Sequence, residues 1–145
     1  MSGLTLRQRL EAEERAGALM IEEEGGRTRI TLTAEDLFGS GSATPNPAYD
    51  RLLQRVAGAL NAVPGPVQVE GHTDSQPLQS LRYRNNFELS RERAVSVAGV
   101  MRRSLDNPAR LQWTGLGSSE LRYPETSAEN RARNRRVEII HVPET

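Results

Sequence analysis

The chain contains no cysteine, which excludes a disulfide framework and a thiol-ligated metal centre while leaving oxidising and reducing compartments equally open. No apolar run is long enough to span a bilayer, and Met1-Ser-Gly-Leu does not open a secretory signal. Any membrane attachment is therefore expected through a segment absent from this chain. Aromatic residues make up only 4% of the sequence and the mean hydropathy is -0.61, so the core should be modest under an arginine-rich surface. Charge of one sign is also missing. Nineteen Lys+Arg balance 19 Asp+Glu, so no global field recruits nucleic acid or acidic lipid, and a ligand's charge must be matched locally.

The 145 residues suit one domain with an N-terminal lead, divided as a connector over residues 1–17 and a domain over 18–145. Leu6, Leu10, Ala12 and Ala16 stand among charges between Leu4 and Ala18, predicting a weak amphipathic helix or an extended lead-in with few core residues. From Leu19 to Thr33, two strand-like runs flank Gly25-Gly26. This pattern reads as a hairpin with a primed turn. The acidic run Glu22 to Glu24 is expected at a solvated strand end facing Arg27 and Arg29.

Ala34 to Thr44 reads as a loop, either a flexible turn with Phe38 plugging the core or a segment whose backbone N–H groups line a site. Asn46 and Pro47 open a helix with Tyr49, Leu53, Val56, Leu60 and Val63 in one stripe, and Pro64-Gly65-Pro66 stops it. Val67 to Thr73 is a strand. A polar stretch follows to Asn85, which caps a second helix from Asn86 to about Leu105, with Glu88 as the reciprocal acid. Leu111 to Gly117 is another strand, in which Trp113 alternates with Leu111 and is expected in the core. Ser118 to Asn130 is a loop before a closing strand from Arg136. This order predicts an α+β sandwich, a βαβαββ core with an N-terminal hairpin strand, its helices on one face of a mixed sheet.

On the second helix, Leu89, Arg93, Val97 and Val100 share one arc at 100° per residue. Arg93 thus lies on the apolar side, where an unpaired guanidinium is costly to desolvate, and needs an anionic partner. Asp74 is the nearest candidate, because the end of a strand and the start of the following helix lie at one edge of a sheet. The two either form a structural ion pair or grip a zwitterion, Arg93 taking a carboxylate and Asp74 an ammonium.

Gly71-His-Thr-Asp74, Asn86-Phe-Glu-Leu-Ser-Arg-Glu-Arg93-Ala, Gly115-Leu-Gly117 and Asn130-Arg-Ala-Arg-Asn134-Arg-Arg136-Val-Glu138 together resemble the peptidoglycan-binding domain of the OmpA-like family, over about Thr28 to Val142. The lead Leu4-Thr-Leu-Arg-Gln, the segment Phe38-Gly-Ser-Gly-Ser-Ala and the insert from Ser75 to Asn86 resemble the C-terminal periplasmic extension of TssL proteins of type VI secretion. The flagellar stator protein MotB is the competing resemblance. The resemblance implies a non-enzymatic periplasmic domain of an inner-membrane protein. It implies binding to peptidoglycan through meso-diaminopimelate and assembly with other membrane-complex subunits of the secretion system. The acid gripping the ligand falls on Asp74, the carboxylate-gripping arginine on Arg93 and a pocket-lining asparagine on Asn86, with Thr73 and Leu89 beside them. His72, Asn134 and Arg135 are expected to support the pocket. Gly39 stands where the family usually has an aspartate, and the Ser75 to Asn85 insert is placed to cover or narrow the pocket. The class-level alternative is a structural or oligomerisation domain of the same fold.

Other chemistry finds little support in these residues. A hydrolase would draw on His72, Asp74 and Ser75, but no nucleophile-elbow or oxyanion-hole motif accompanies them. His72 and His141 lack a spaced acid cluster for zinc, no cofactor is implied, and Gly115-Leu-Gly117 lacks the third glycine of a dinucleotide loop. The arginines from 131 to 136 have no stacking aromatics of the kind a nucleic-acid module uses.

Overall fold

A computed structural model describes residues 3–144. The lead-in forms two short helices, α1 (Leu6–Arg9) and α2 (Glu11–Arg15). Thr5 caps the first, accepting from the Gln8 amide while the Gln8 side chain returns the bond. Leu6 and Leu10 are buried in the main core. The lead is thus packed onto the domain, a contact that isolated leucines among charges did not announce.

Strands β1 (Met20–Glu24) and β2 (Arg27–Thr33) form the expected hairpin, and Gly25 and Gly26 have φ of 59° and 81°. Both angles suit a primed turn and disfavour side chains. Its register sets Glu22 opposite Arg29 and Glu24 opposite Arg27, as the charge pattern required. The stretch after it is not simply a loop. Thr33 caps a five-residue helix α3 (Ala34–Phe38), whose Leu37 and Phe38 are buried. Asn46 caps a 3-10 turn, Pro47–Tyr49, leading into α4 (Asp50–Asn61), where Leu53, Val56, Ala57 and Leu60 are buried.

After β3 (Val67–His72) the insert leads to α5 (Asn86–Arg102), capped by Asn85 at 2.9 Å from the Glu88 amide. The Glu88 side chain pairs with Arg84 instead of closing the capping box. Strand β4 (Leu111–Gly115), helix α6 (Ala128–Asn134) and strand β5 (Arg136–His141) complete the chain. Helix α6 begins inside the expected loop. The sheet order is β1-β2-β5-β3-β4, with β3 and β4 parallel and the other pairs antiparallel. Because β4 is the outer strand, Trp113 has a neighbouring strand on one side only. It is 40% exposed, contrary to the expectation of a core residue.

Helix α5 lies against β3 and β4 through two glycines. A Cβ at Gly71 would stand 2.0 Å from the Ser90 carbonyl oxygen, and one at Gly115 would stand 2.3 Å from the Arg91 amide nitrogen. Backbone therefore touches backbone at the start of the helix, beside the end of β3. Gly71→Ala should destabilise the fold by about 3 kcal/mol or more in urea unfolding. Gly99→Ala, on the exposed side of the same helix with open space around it, should stabilise it by about 0.5–1 kcal/mol.

Candidate functional site

The close approach of α5 to β3 opens a cavity of about 370 Å³ at the end of the strand, within the range of small-ligand sites. Of the residues expected from sequence, Thr73, Asp74, Asn86, Leu89, Arg93 and Arg135 line it. Its remaining walls come from Ala34 and Glu35 at the start of α3, from Gly39 to Gly41 after it and from Gln76 to Gln79 of the insert. The insert is tied down at both ends. Asn86 Nδ2 donates to the Gln76 carbonyl at 2.9 Å, and Glu125 accepts from the Ser75 amide and hydroxyl at 2.7 and 2.5 Å.

Arg93 is only 3% exposed and its fork ends on carbonyls. Nε donates to Ser42 O at 2.8 Å and Nη2 to Gly39 O at 3.2 Å, while its Cζ stands 5.3 Å from the Phe38 ring centroid. Part of the Ala34 to Thr44 segment does line the cavity, but it turns carbonyls to the arginine and not the N–H groups expected of a site wall. Burial lowers the guanidinium to about 10, with Tyr83 opposing and nearby Arg135 reinforcing the shift. Among the described residues no acid pairs with it. The structural Asp74–Arg93 ion pair, one of the two alternatives read from the sequence, is therefore not formed.

Asp74 pairs instead with Arg135, whose Nη1 lies 2.6 Å from Oδ2, and its Oδ1 accepts from the Gln76 amide at 3.1 Å. The register explains the exchange. Strand β5 runs antiparallel to β3 with His72 opposite Arg136, so the residue before Arg136 falls beside the residues following His72. Arg135 also spans to Glu35 at 2.7 Å. Burial works against its charge, but the hydrogen bonds to Glu35 and Asp74 raise it above the usual arginine range.

Two supporting residues expected from sequence lie away from the cavity. Asn134 is fully buried; its Oδ1 accepts from the Arg122 and Tyr123 amides, and its Nδ2 donates to Tyr123 O and to Glu125 Oε2. It reaches the site only through Glu125 and Ser75. Burial opposes the charge of Glu125, yet the bonds from Ser75, with Asn134 and Arg131 behind them, hold its carboxyl below the usual range. His72 belongs to the other face of the sheet, 3.2 Å from Glu70 and 3.9 Å from Glu138. These three could in principle converge on a cation. Glu138, however, already meets Arg136 at 2.6 Å, Arg29 at 3.3 Å and Arg122 at 3.8 Å. The guanidiniums supply the positive charge a metal would bring, and the cluster is an ion-pair network.

Glu35 and Glu125 were missed by the sequence reading. Glu35 follows the capping Thr33 by two positions, a faint signal of an acid in a first helical turn. Glu125 carries no local signal. Chemically, the cavity sets one unpaired buried cation against a Glu35–Arg135–Asp74 trio, and these four charges cancel. Desolvating Arg93 costs on the order of 3 kcal/mol. Arg93→Met should therefore match or exceed the wild-type stability, by up to about 2 kcal/mol in urea unfolding. Amide exchange from Gly39 to Thr44 should quicken, since two carbonyls lose their donor.

Residues 37–135 match the family model described as the OmpA family. A solved structure, the cell wall anchor of the T6SS from Pseudomonas aeruginosa, superposes with a TM-score of 0.90 at 36% identity, over 97% of this chain and 98% of that one. The periplasmic domain of Helicobacter pylori MotB superposes with a TM-score of 0.77 at 29% identity, over 88% of this chain and 83% of that one. Among curated sequences, the uncharacterized protein YtxE of Bacillus subtilis is 34% identical over 77% of this chain and 46% of its own length. This chain spans less than half of that relative, and 35% of the Helicobacter pylori motility protein B. With the matched span covering most of the chain and the fold shared throughout, the chain belongs to the OmpA family.

Proposed function

We propose that this chain is a non-enzymatic module that binds the peptidoglycan stem peptide through the zwitterionic end of meso-diaminopimelate. The observation that carries the reading is Arg93, a buried guanidinium lining an open cavity with no acid paired to it among the described residues. An incoming carboxylate would supply the missing counter-charge through charge-assisted hydrogen bonds, each worth roughly 1.5–3 kcal/mol. The Glu35–Arg135–Asp74 trio provides carboxylates for an ammonium on the same ligand. Asn86 keeps the insert at the cavity wall, and Thr73 and Leu89 contribute the rest of the surface.

The whole-length likeness to a cell wall anchor of the T6SS supports placing the module in a secretion complex. There it would be the periplasmic part of an inner-membrane protein of the TssL kind, holding other membrane-complex subunits to the wall. Among the described residues no helix is long and apolar enough to cross a membrane, so attachment would come from other parts of the protein. One small pocket binds weakly, and many copies on an assembly would supply avidity. The likeness to MotB supports the same chemistry in a flagellar setting.

The test is an NMR titration of the labelled chain with a meso-diaminopimelate stem peptide, run beside Arg93→Ala and Asp74→Ala proteins whose spectra remain folded. Saturable shifts at Asp74, Asn86 and Arg93 are expected, with affinity reduced roughly tenfold or more in either variant. Purified cell wall should sediment with the wild type, and no soluble wall fragments should be released over time. Absence of shifts at millimolar peptide would overturn the reading in favour of a structural domain.

A further inference from the structure

We infer that Glu35, not Asp74, is the carboxylate that receives the ligand's ammonium, and that Asp74 acts as a positioning residue through Arg135. The inference rests on the wall-binding reading and decides how the two acids of the cavity divide its work. Asp74 is poorly placed to take a further donor. Its side chain is 9% exposed, Oδ2 accepts from Arg135 and Oδ1 from the Gln76 amide. An ammonium brings three donors and is strongly hydrated, so it favours an oxygen that is free and reachable.

Glu35 offers one. It lines the same cavity, its side chain is 59% exposed, and only Oε1 is engaged, by Arg135 Nη2. Among the described residues Oε2 accepts no hydrogen bond. Its backbone is nonetheless fixed. Thr33 caps the short helix that carries it, and the neighbouring Ala34 amide donates to the Arg135 carbonyl at 2.9 Å. That bond continues the β2–β5 ladder past Thr33 and Arg136 and holds Glu35 beside the arginine. Arg135 thus engages one oxygen of each acid, and the Gln76 amide takes the second oxygen of Asp74 while that of Glu35 is left open. The trio carries one net negative charge, and its accessible share lies on Glu35. The fixed planar fork of a guanidinium suits this division, because it bridges two carboxylates in a set geometry.

The test compares two synthetic stem peptides, one with the free side-chain amine of meso-diaminopimelate and one with that amine acetylated, titrated into the full chain by calorimetry or NMR. Wild type should lose roughly tenfold or more on acetylation. Glu35→Gln, which still accepts from Arg135, should bind the free-amine peptide at the weakened level and be indifferent to acetylation. Glu35→Asp should recover part of the difference. Asp74→Asn should weaken both peptides while staying sensitive to acetylation. The inference is overturned if Glu35→Gln binds the free-amine peptide like wild type, or if Asp74→Asn is the variant that loses sensitivity to acetylation. If wild type binds neither peptide, the wall-binding reading falls, and this assignment falls with it.

Discussion

Everything at the site depends on helix α5 resting its backbone directly on β3 and β4. Gly71 and Gly115 remove the two side chains that would hold it away, so the first turns of the helix come down beside the strand end instead of a layer above it. Thr73, Asp74, Asn86, Leu89 and Arg93 then border one cavity although they come from two elements separated by a long insert. The Thr73 amide donates to the Gly117 carbonyl, and the Gly117 amide donates to the Ser90 hydroxyl. The turn after β4 is thereby fastened to both. A shift of the helix by one side-chain layer would separate Arg93 from the trio across the cavity, and with it the juxtaposition of charges on which the proposed binding rests.

The same contact explains how a guanidinium can be buried without an ion pair. Its fork is held by the Gly39 and Ser42 carbonyls and by the Phe38 ring, which orient it while supplying only partial negative charge. Such a group is preorganised but electrically incomplete, so a carboxylate that binds it removes a cost already present in the fold. By contrast Arg136, equally buried, has Glu138 at 2.6 Å and two carbonyls, from Asn134 and Glu120. One arginine is finished within the chain and the other is not. The two arginines differ in their counter-ions and hardly at all in burial.

What was legible in the sequence was what local chemistry decides. The Gly25-Gly26 turn, the caps at Asn46 and Asn85 and the apolar stripe of α4 each depend on residues within a few positions. The family motifs also brought Asp74 and Arg93 to one cavity. Of the two readings left open for them, the direct ion pair is the one the structure lacks, because pairing turns on strand order. With β5 inserted between β2 and β3, Asp74 meets a residue 61 positions away, and that residue meets Glu35 at a separation of 100. No periodicity carries such information. Helix α3, five residues long, is too short to show a period of 3.6, and Trp113 alternates like a core residue without revealing that its strand is outermost.

Every one of the 19 cationic residues is an arginine, and the irregular parts of the fold show what that choice supplies. Arg110 donates to Gly65, Leu60 and Val63 carbonyls after α4; Arg135 joins two acids from different elements; Arg93 latches the segment after α3. Each task needs several donors in fixed directions, which an ammonium on a flexible stem does not provide. The cavity that results carries opposed charges summing to zero, on a chain whose formal charge is also zero. Such a cavity exerts little long-range attraction, so the proposed binding would discriminate by the placement of charges rather than by their sum. On the proposed wall-binding reading, a ligand with only one of the two charges would leave either Arg93 or the Glu35 side unmatched, and the spacing of carboxylate and ammonium within one small molecule would be what the cavity recognises.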